Sequence, residues 1–350
     1  MRHMMEYSLR SAAISLLLLC GISTAAAEPG PVSFEGKVIK LILPTTSGGG
    51  TDITARLFSR FMSKYLPGAP TIIFQNMPSG QGVSALNYFF KHVKPDGNTI
   101  LLASDSHVDP MTFRSPQAHY DPTKFEIIGG LYPGDSVIVI RVDALPRLLD
   151  KSQPPVNMGS VTGTPRSSMR MNIWGQVALG WNSKWVAGYG GGPDLALALA
   201  RGEIDMTAFP RFYIKDKLLD ETTYKVLFVD GLNPRALPSG RADADRAPKF
   251  VDAMEGKISD PKILAAYKYW LAARQMKWVA LPPGTPADIR DAFRDAFEKM
   301  VADPDFEEQG RAVMDGSVPL TAQETARAVR EVGMTSDETI ETMNSLLPKP

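Results

Sequence analysis

Residues 45–52 read Thr-Thr-Ser-Gly-Gly-Gly-Thr-Asp. Hydroxyl donors followed by glycines let the backbone approach a bound group closely, and clustered amides attract anions. Thr51 and Asp52 stand where a helix would be capped, which would add the positive end of a helix dipole. Thr45, Thr46, Ser47, Gly48, Gly49, Gly50, Thr51 and Asp52 are therefore candidate ligand contacts; a plain tight turn is the alternative. Asp52 serves chiefly as a cap in this reading, because its carboxylate would repel a bound anion. No Lys-Ser/Thr pair follows the glycines, and no Gly-x-Gly-x-x-Gly precedes an acidic residue about 20 positions on. Mononucleotide and dinucleotide loops are thus disfavoured.

Comparable loops recur. Gln81 lies in Pro78-Ser79-Gly80-Gln81-Gly82, and Ser104-Asp105-Ser106-His107 ends another apolar run. Thr162, Gly163, Thr164 and Arg166 fall in a second group, as do Tyr189, Gly190 and Gly191. Arg166 and Arg170 are the cations of that group. A solvated position suits either, but Arg166 in a cleft would form a bidentate pair with a carboxylate. Ser104, Asp105 and His107 are too close in sequence for a triad, and no Gly-x-Ser-x-Gly elbow occurs. No catalytic residue is assigned. Beyond residue 27 the histidines are His92, His107 and His119, without metal-ligand spacing, so neither metal nor cofactor is expected.

The elements that would position these loops alternate. Val38–Leu43 is a short β-branched run, and Ile53, Leu57, Phe61 and Tyr65 recur at helical spacing after the glycines. Further strands are expected at 71–74, 99–103, 136–142, 156–159, 184–187, 204–209, 224–229 and 278–281. Strands alternating with helices indicate an α/β fold with parallel pairing, in which ligands sit at the strands' carboxyl ends. Trp174, Trp181 and Trp185 are expected in the core.

Composition narrows the class. Arg2 and Arg10, an apolar Ala12–Ile22 and Ala25-Ala26-Ala27 form a secretory signal pattern, with cleavage expected near Ala27. The single cysteine, Cys20, lies inside it, so the mature chain forms no disulfide. The 38 basic and 38 acidic residues balance, without a basic stripe, which argues against nucleic acid.

The chain resembles the solute-binding receptors of tripartite tricarboxylate transporters, the Bug receptors. The matching motifs are Pro44-Thr45-Thr46-Ser47-Gly48-Gly49-Gly50-Thr51-Asp52, Pro78–Gly82, Pro95-Asp96-Gly97, Tyr189-Gly190-Gly191-Gly192-Pro193-Asp194, Gly202-Glu203-Ile204-Asp205 and Leu281-Pro282-Pro283-Gly284. Their order spans nearly the whole mature chain. The resemblance implies a two-domain periplasmic-binding-protein-like clamp with a ligand cleft between the domains. Domain one would comprise 34–132 plus 232–350 and domain two 133–231, with hinges near 130–135 and 231–235. It also implies a periplasmic monomer that captures a small organic acid for separate membrane permease subunits, with Asp205 orienting the ligand or bracing a loop. Delivery to a sensor kinase, or an exported hydrolase, are the alternative outputs. The chain departs from the pattern at Thr45-Thr46-Ser47, where the family often has an aromatic residue and a proline. It departs again at Gly190, where a lysine is frequent. Both changes fit a divergent subgroup.

Overall fold

A computed structural model describes residues 32–132, 135–161, 163, 165–211, 213–214, 220–232, 242–273, 277–314 and 317–347. The expected leader, Thr162 and Thr164 lie outside the described residues. Two sheets organise the chain. The first runs β11-β4-β10-β3-β1-β2. Its strands are β1 (Val38–Leu43), β2 (Thr71–Asn76), β3 (Thr99–Ser104), β4 (Glu126–Tyr132), β10 (Lys277–Leu281) and β11 (Val318–Leu320). The second runs β7-β6-β8-β5-β9. It contains β5 (Ser136–Arg141), β6 (Val156–Ser160), β7 (Ser183–Ala187), β8 (Met206–Pro210) and β9 (Tyr224–Val229).

Pairing is mixed rather than wholly parallel. β1 pairs in parallel with β2 and β3, and β6 with β7 and β8. β10 and β11 pair antiparallel in the first sheet, and β5 with β8 and β9 in the second. β4 and β5 are consecutive strands that lie in different sheets, and β10 returns the chain to the first. The sequence reading missed β4, although β4 lies between β10 and β11. Its Gly129-Gly130 dilutes β-propensity. A Cβ at Gly129 would stand 2.4 Å from the Phe297 ring, and one at Gly130 would stand 2.6 Å from Thr325 Oγ1. Close helix packing therefore requires the two glycines.

The main helices are α1 (Gly50–Tyr65), α2 (Val83–His92), α3 (Met171–Ala178), α4 (Gly192–Arg201), α5 (Pro261–Ala273), α6 (Ala287–Val301), α7 (Pro304–Val313), α8 (Ala322–Gly333) and α9 (Asp337–Ser345). One core joins Ile42, Leu101, Ala103, Ile127 and Trp278 of the first sheet to Leu86 and Phe89 of α2. A second joins Ile138, Ile140, Met158 and Met206 to Trp174, Trp181, Phe250, Tyr267 and Trp270. Helix α5, expected in domain one, packs on two sides: Tyr267 and Trp270 join the core of the second sheet, and that core also takes in Val332 of α8 and Met343 of α9. A third core lies under α4, with Val137, Val139, Leu195, Leu199 and Phe209. Trp185 is partly buried against the second core.

Candidate functional site

Loops at the carboxyl ends of β1, β3, β6 and β8 meet the turn before α4 around a cavity of about 240 Å3. From the first sheet come Thr45, Thr46, Gly49, Gly50, Thr51, Ser104, Asp105 and, at the start of β10, Lys277. The second sheet contributes Val161, Ser167, Ser168, Met169, Ala208 and Phe209. Gly190, Gly191 and Gly192 complete the wall at the head of α4, with Tyr213 beside them.

Two helices begin at this cavity. α1 starts at Gly50 after the extended residue Gly49, one residue earlier than the expected Thr51 cap. α4 starts at Gly192. First-turn amides have no intrahelical acceptor, so both helices aim free donors and positive dipole ends at the shared space. Glycine is required at Gly192 by packing: a Cβ there would lie 2.5 Å from the Tyr213 ring.

Side chains lock the loops. Asp52 is buried, and its Oδ2 accepts the Gly48 amide at 3.0 Å. Its carboxylate also accepts from Asn76 and Arg56. Burial raises the Asp52 pKa, but the Gly48 amide, Asn76 and Arg56 outweigh it and hold the group below the usual carboxylate range. Asp52 is therefore a loop brace rather than a cavity-lining residue. The Asp194 carboxylate braces the opposite loop by accepting the Gly190 amide at 3.0 Å. His107 is buried between Ser104, whose amide donates to Nδ1 at 3.4 Å, and the Gln81 carbonyl, 3.3 Å from Nε2. Burial, with Arg166 adding to it, pushes its pKa down to about 3, so the ring is neutral and Nε2 carries the proton.

Lys277 is the cation that sequence reading missed. Nothing in its own neighbourhood marks it; the register of β10 against β3 sets it opposite Ser104. Its ammonium donates to Thr51 Oγ1 at 3.3 Å, beside the head of α1. Burial lowers the Lys277 pKa, and the Asp105 carboxylate opposes that shift. The two arginines go elsewhere. Arg170 pairs with Asp109 at 2.7 Å, both buried, and Tyr269 donates to the same carboxylate. Arg166 donates to the Gln81 carbonyl at 3.3 Å and lines a separate groove with Gln81.

Other expected contacts also lie off the cavity. Asp205 accepts the Asn157 amide at 2.8 Å and pairs with Arg147 at 2.9 Å, which makes it a brace between β6 and β8. Ser47, Gly48 and Gly163 are not in its wall, and Tyr189 packs against the core under α4. The walls are tied together directly. Thr46 Oγ1 donates to the Gly190 carbonyl at 3.2 Å, the Tyr213 hydroxyl to the Gly48 carbonyl at 3.4 Å, and Ser167 Oγ to Asp105 Oδ1 at 2.8 Å.

No family model matches the chain. It is 26% identical over 306 residues to a UPF0065 protein of the TAR-I ttuE-ttuC' intergenic region of Agrobacterium vitis, covering 84% of this chain and 79% of that protein. The solved structure of the periplasmic binding protein BugD aligns with a TM-score of 0.67 and 18% identity, over 89% of this chain and 98% of that one. The chain has the fold of the Bug solute-binding receptors. MatC of Rhodopseudomonas palustris, solved with bound malate, gives a TM-score of 0.65 and 17% identity, over 89% and 99% of the two chains. The Bug resemblance carried by short motifs thus extends to the arrangement of both sheets.

Proposed function

We propose that this protein is a periplasmic solute receptor that closes on a small carboxylate and presents it to a membrane permease. One observation carries the reading. The heads of α1 and α4 and the Lys277 ammonium all border one cavity whose walls come from both sheets. Amides and an ammonium recognise a carboxylate without any bond being made or broken. Malate in MatC supports this ligand class. A hydrolase reading lacks an effective base: the Nδ1 lone pair of His107 already accepts the Ser104 amide, and burial pushes the ring's pKa down to about 3, so it takes up a proton poorly. The proposed division follows the packing: one lobe on the first sheet and one on the second, with α5 moved to the second. Hinge motion then falls between β4 and β5 and between α5 and β10.

The test is a thermal-shift and titration panel of mono-, di- and tricarboxylates on the mature protein. A bound acid at a hundredfold over Kd stabilises the native state by about 2.7 kcal/mol. Lys277→Met weakens that acid at least tenfold while the fold persists. Stabilisation by a neutral sugar and by no acid would overturn the assignment.

A further inference from the structure

The cavity wall carries a second charge that a simple acid does not answer. Among the described residues lining it, Lys277 is the one basic side chain and Asp105 the one acidic side chain. They do not form an ion pair with each other, although Lys277 feels the Asp105 charge, as does Arg166, which lines the separate groove rather than this cavity. Asp105 Oδ1 is occupied: it accepts the Ser106 amide at 2.9 Å and the Ser167 hydroxyl at 2.8 Å. Asp105 Oδ2 accepts no hydrogen bond from a described residue. Lys277, for its part, has only the neutral Thr51 hydroxyl.

A ligand seated here therefore meets an ammonium and amides on one side and a free carboxylate oxygen on another. An acid without a donor would set its own negative charge against Asp105, and a buried like-charge contact is costly. An acid that also carries an ammonium satisfies both groups, and its charges complement theirs. We infer that the cleft selects amphoteric acids, small molecules with at least one carboxylate and one protonated amine, and that Asp105 is the residue that reads the amine. This rests on the cavity being the carboxylate site proposed above.

Two matched series test it: aspartate, malate and succinate, and 4-aminobutyrate, 4-hydroxybutyrate and butyrate. Each keeps the carbon skeleton and exchanges amine for hydroxyl or hydrogen. Calorimetric titration of the mature protein is expected to show the amine-bearing member at least tenfold tighter in one series or both. Asp105→Asn keeps an oxygen for Ser106 and Ser167 and removes the charge, so the preference should shrink to under threefold. Lys277→Met should weaken every member that binds. If neither series shows its amine-bearing member binding tighter than the amine-free ones, while an amine-free acid binds and responds to Lys277→Met, the carboxylate site stands and the amphoteric selection fails. A preference that survives Asp105→Asn removes Asp105 from the role. If neither series binds the folded protein while another acid of the carboxylate panel does, the carboxylate site stands and the amphoteric selection fails; if no acid binds at all, both readings fall.

Discussion

At the scale of single residues, the loops are held by buried polar groups whose protonation matters. His107 is neutral in the folded protein with its pKa near 3, whereas an unfolded histidine titrates at about 6.5. Between those values the unfolded chain binds the extra proton, so stability rises with pH and is lost as pH falls below about 6.5. Each pH unit in that window removes about 1.4 kcal/mol through this residue. Urea unfolding of wild type and His107→Gln from pH 4.5 to 7.5 should show the stability difference between them shrinking toward acid. Parallel pH profiles would refute the neutral buried ring. The residue scale is also where sequence was least informative. The glycines and hydroxyls at 45–51 and 190–191 were legible because short-range spacing betrays a loop at a helix head. Lys277 was not, because only the pairing of β10 with β3 brings it to Ser104. Asp52, read chiefly as a helix cap, accepts the Gly48 amide, and Asp205, read as a ligand contact or a loop brace, accepts the Asn157 amide.

At the scale of elements, apolar periodicity located strands of both sheets, including β1, β3 and β5, and it failed at β4. The Gly129-Gly130 pair hides that strand, and its reason lies in α6 and α8, far along the chain. Periodicity could not say on which sheet a late helix packs. α5 is an example: Trp270 is fully buried, 6.1 Å from the Trp174 ring and 6.2 Å from the Phe250 ring, centroid to centroid. Its indole also donates to the Ser167 carbonyl at 3.3 Å, so α5 supports a loop of the cavity from behind. Trp270→Ala is expected to cost about 3–5 kcal/mol, the usual range for deleting a buried aromatic. A leucine at 270, which leaves a smaller void, should recover part of it. Hydrogen exchange on the wild type checks the allegiance of the helix. Amides of α5 should open with those of β6 and α3; opening with β1 and α1 would return the helix to the first sheet.

At the scale of the whole molecule, the open question is what holds the two sheets together around the cavity. Thr46–Gly190 and Tyr213–Gly48 are single neutral hydrogen bonds, each worth about 1 kcal/mol net. The Asp109–Arg170 pair is different. It joins the segment after β3 to the segment before α3, and both side chains are almost wholly shielded from solvent. Burial alone would lower the Arg170 pKa, but Asp109 and Tyr269 raise it, so the guanidinium stays charged and depends on its partner. Breaking such a pair from one side leaves a buried charge uncompensated, at about 3–5 kcal/mol. On the clamp reading proposed above, that cost in Asp109→Asn has an escape short of unfolding, since separation of the proposed lobes would hydrate Arg170. The variant should then populate an open state, and apparent affinity for any ligand of the closed state falls in proportion to the closed fraction. Small-angle scattering should show a larger radius of gyration for unliganded Asp109→Asn than for wild type, with ligand bringing the two together. Titration should show at least a tenfold weaker Kd with an unchanged ranking of ligands. If melting temperature drops while radius and affinity stay at wild-type values, the pair lies at a point the motion does not separate. Closure would then rest on the weaker bonds at Thr46, Tyr213 and Ser167 together with the ligand itself.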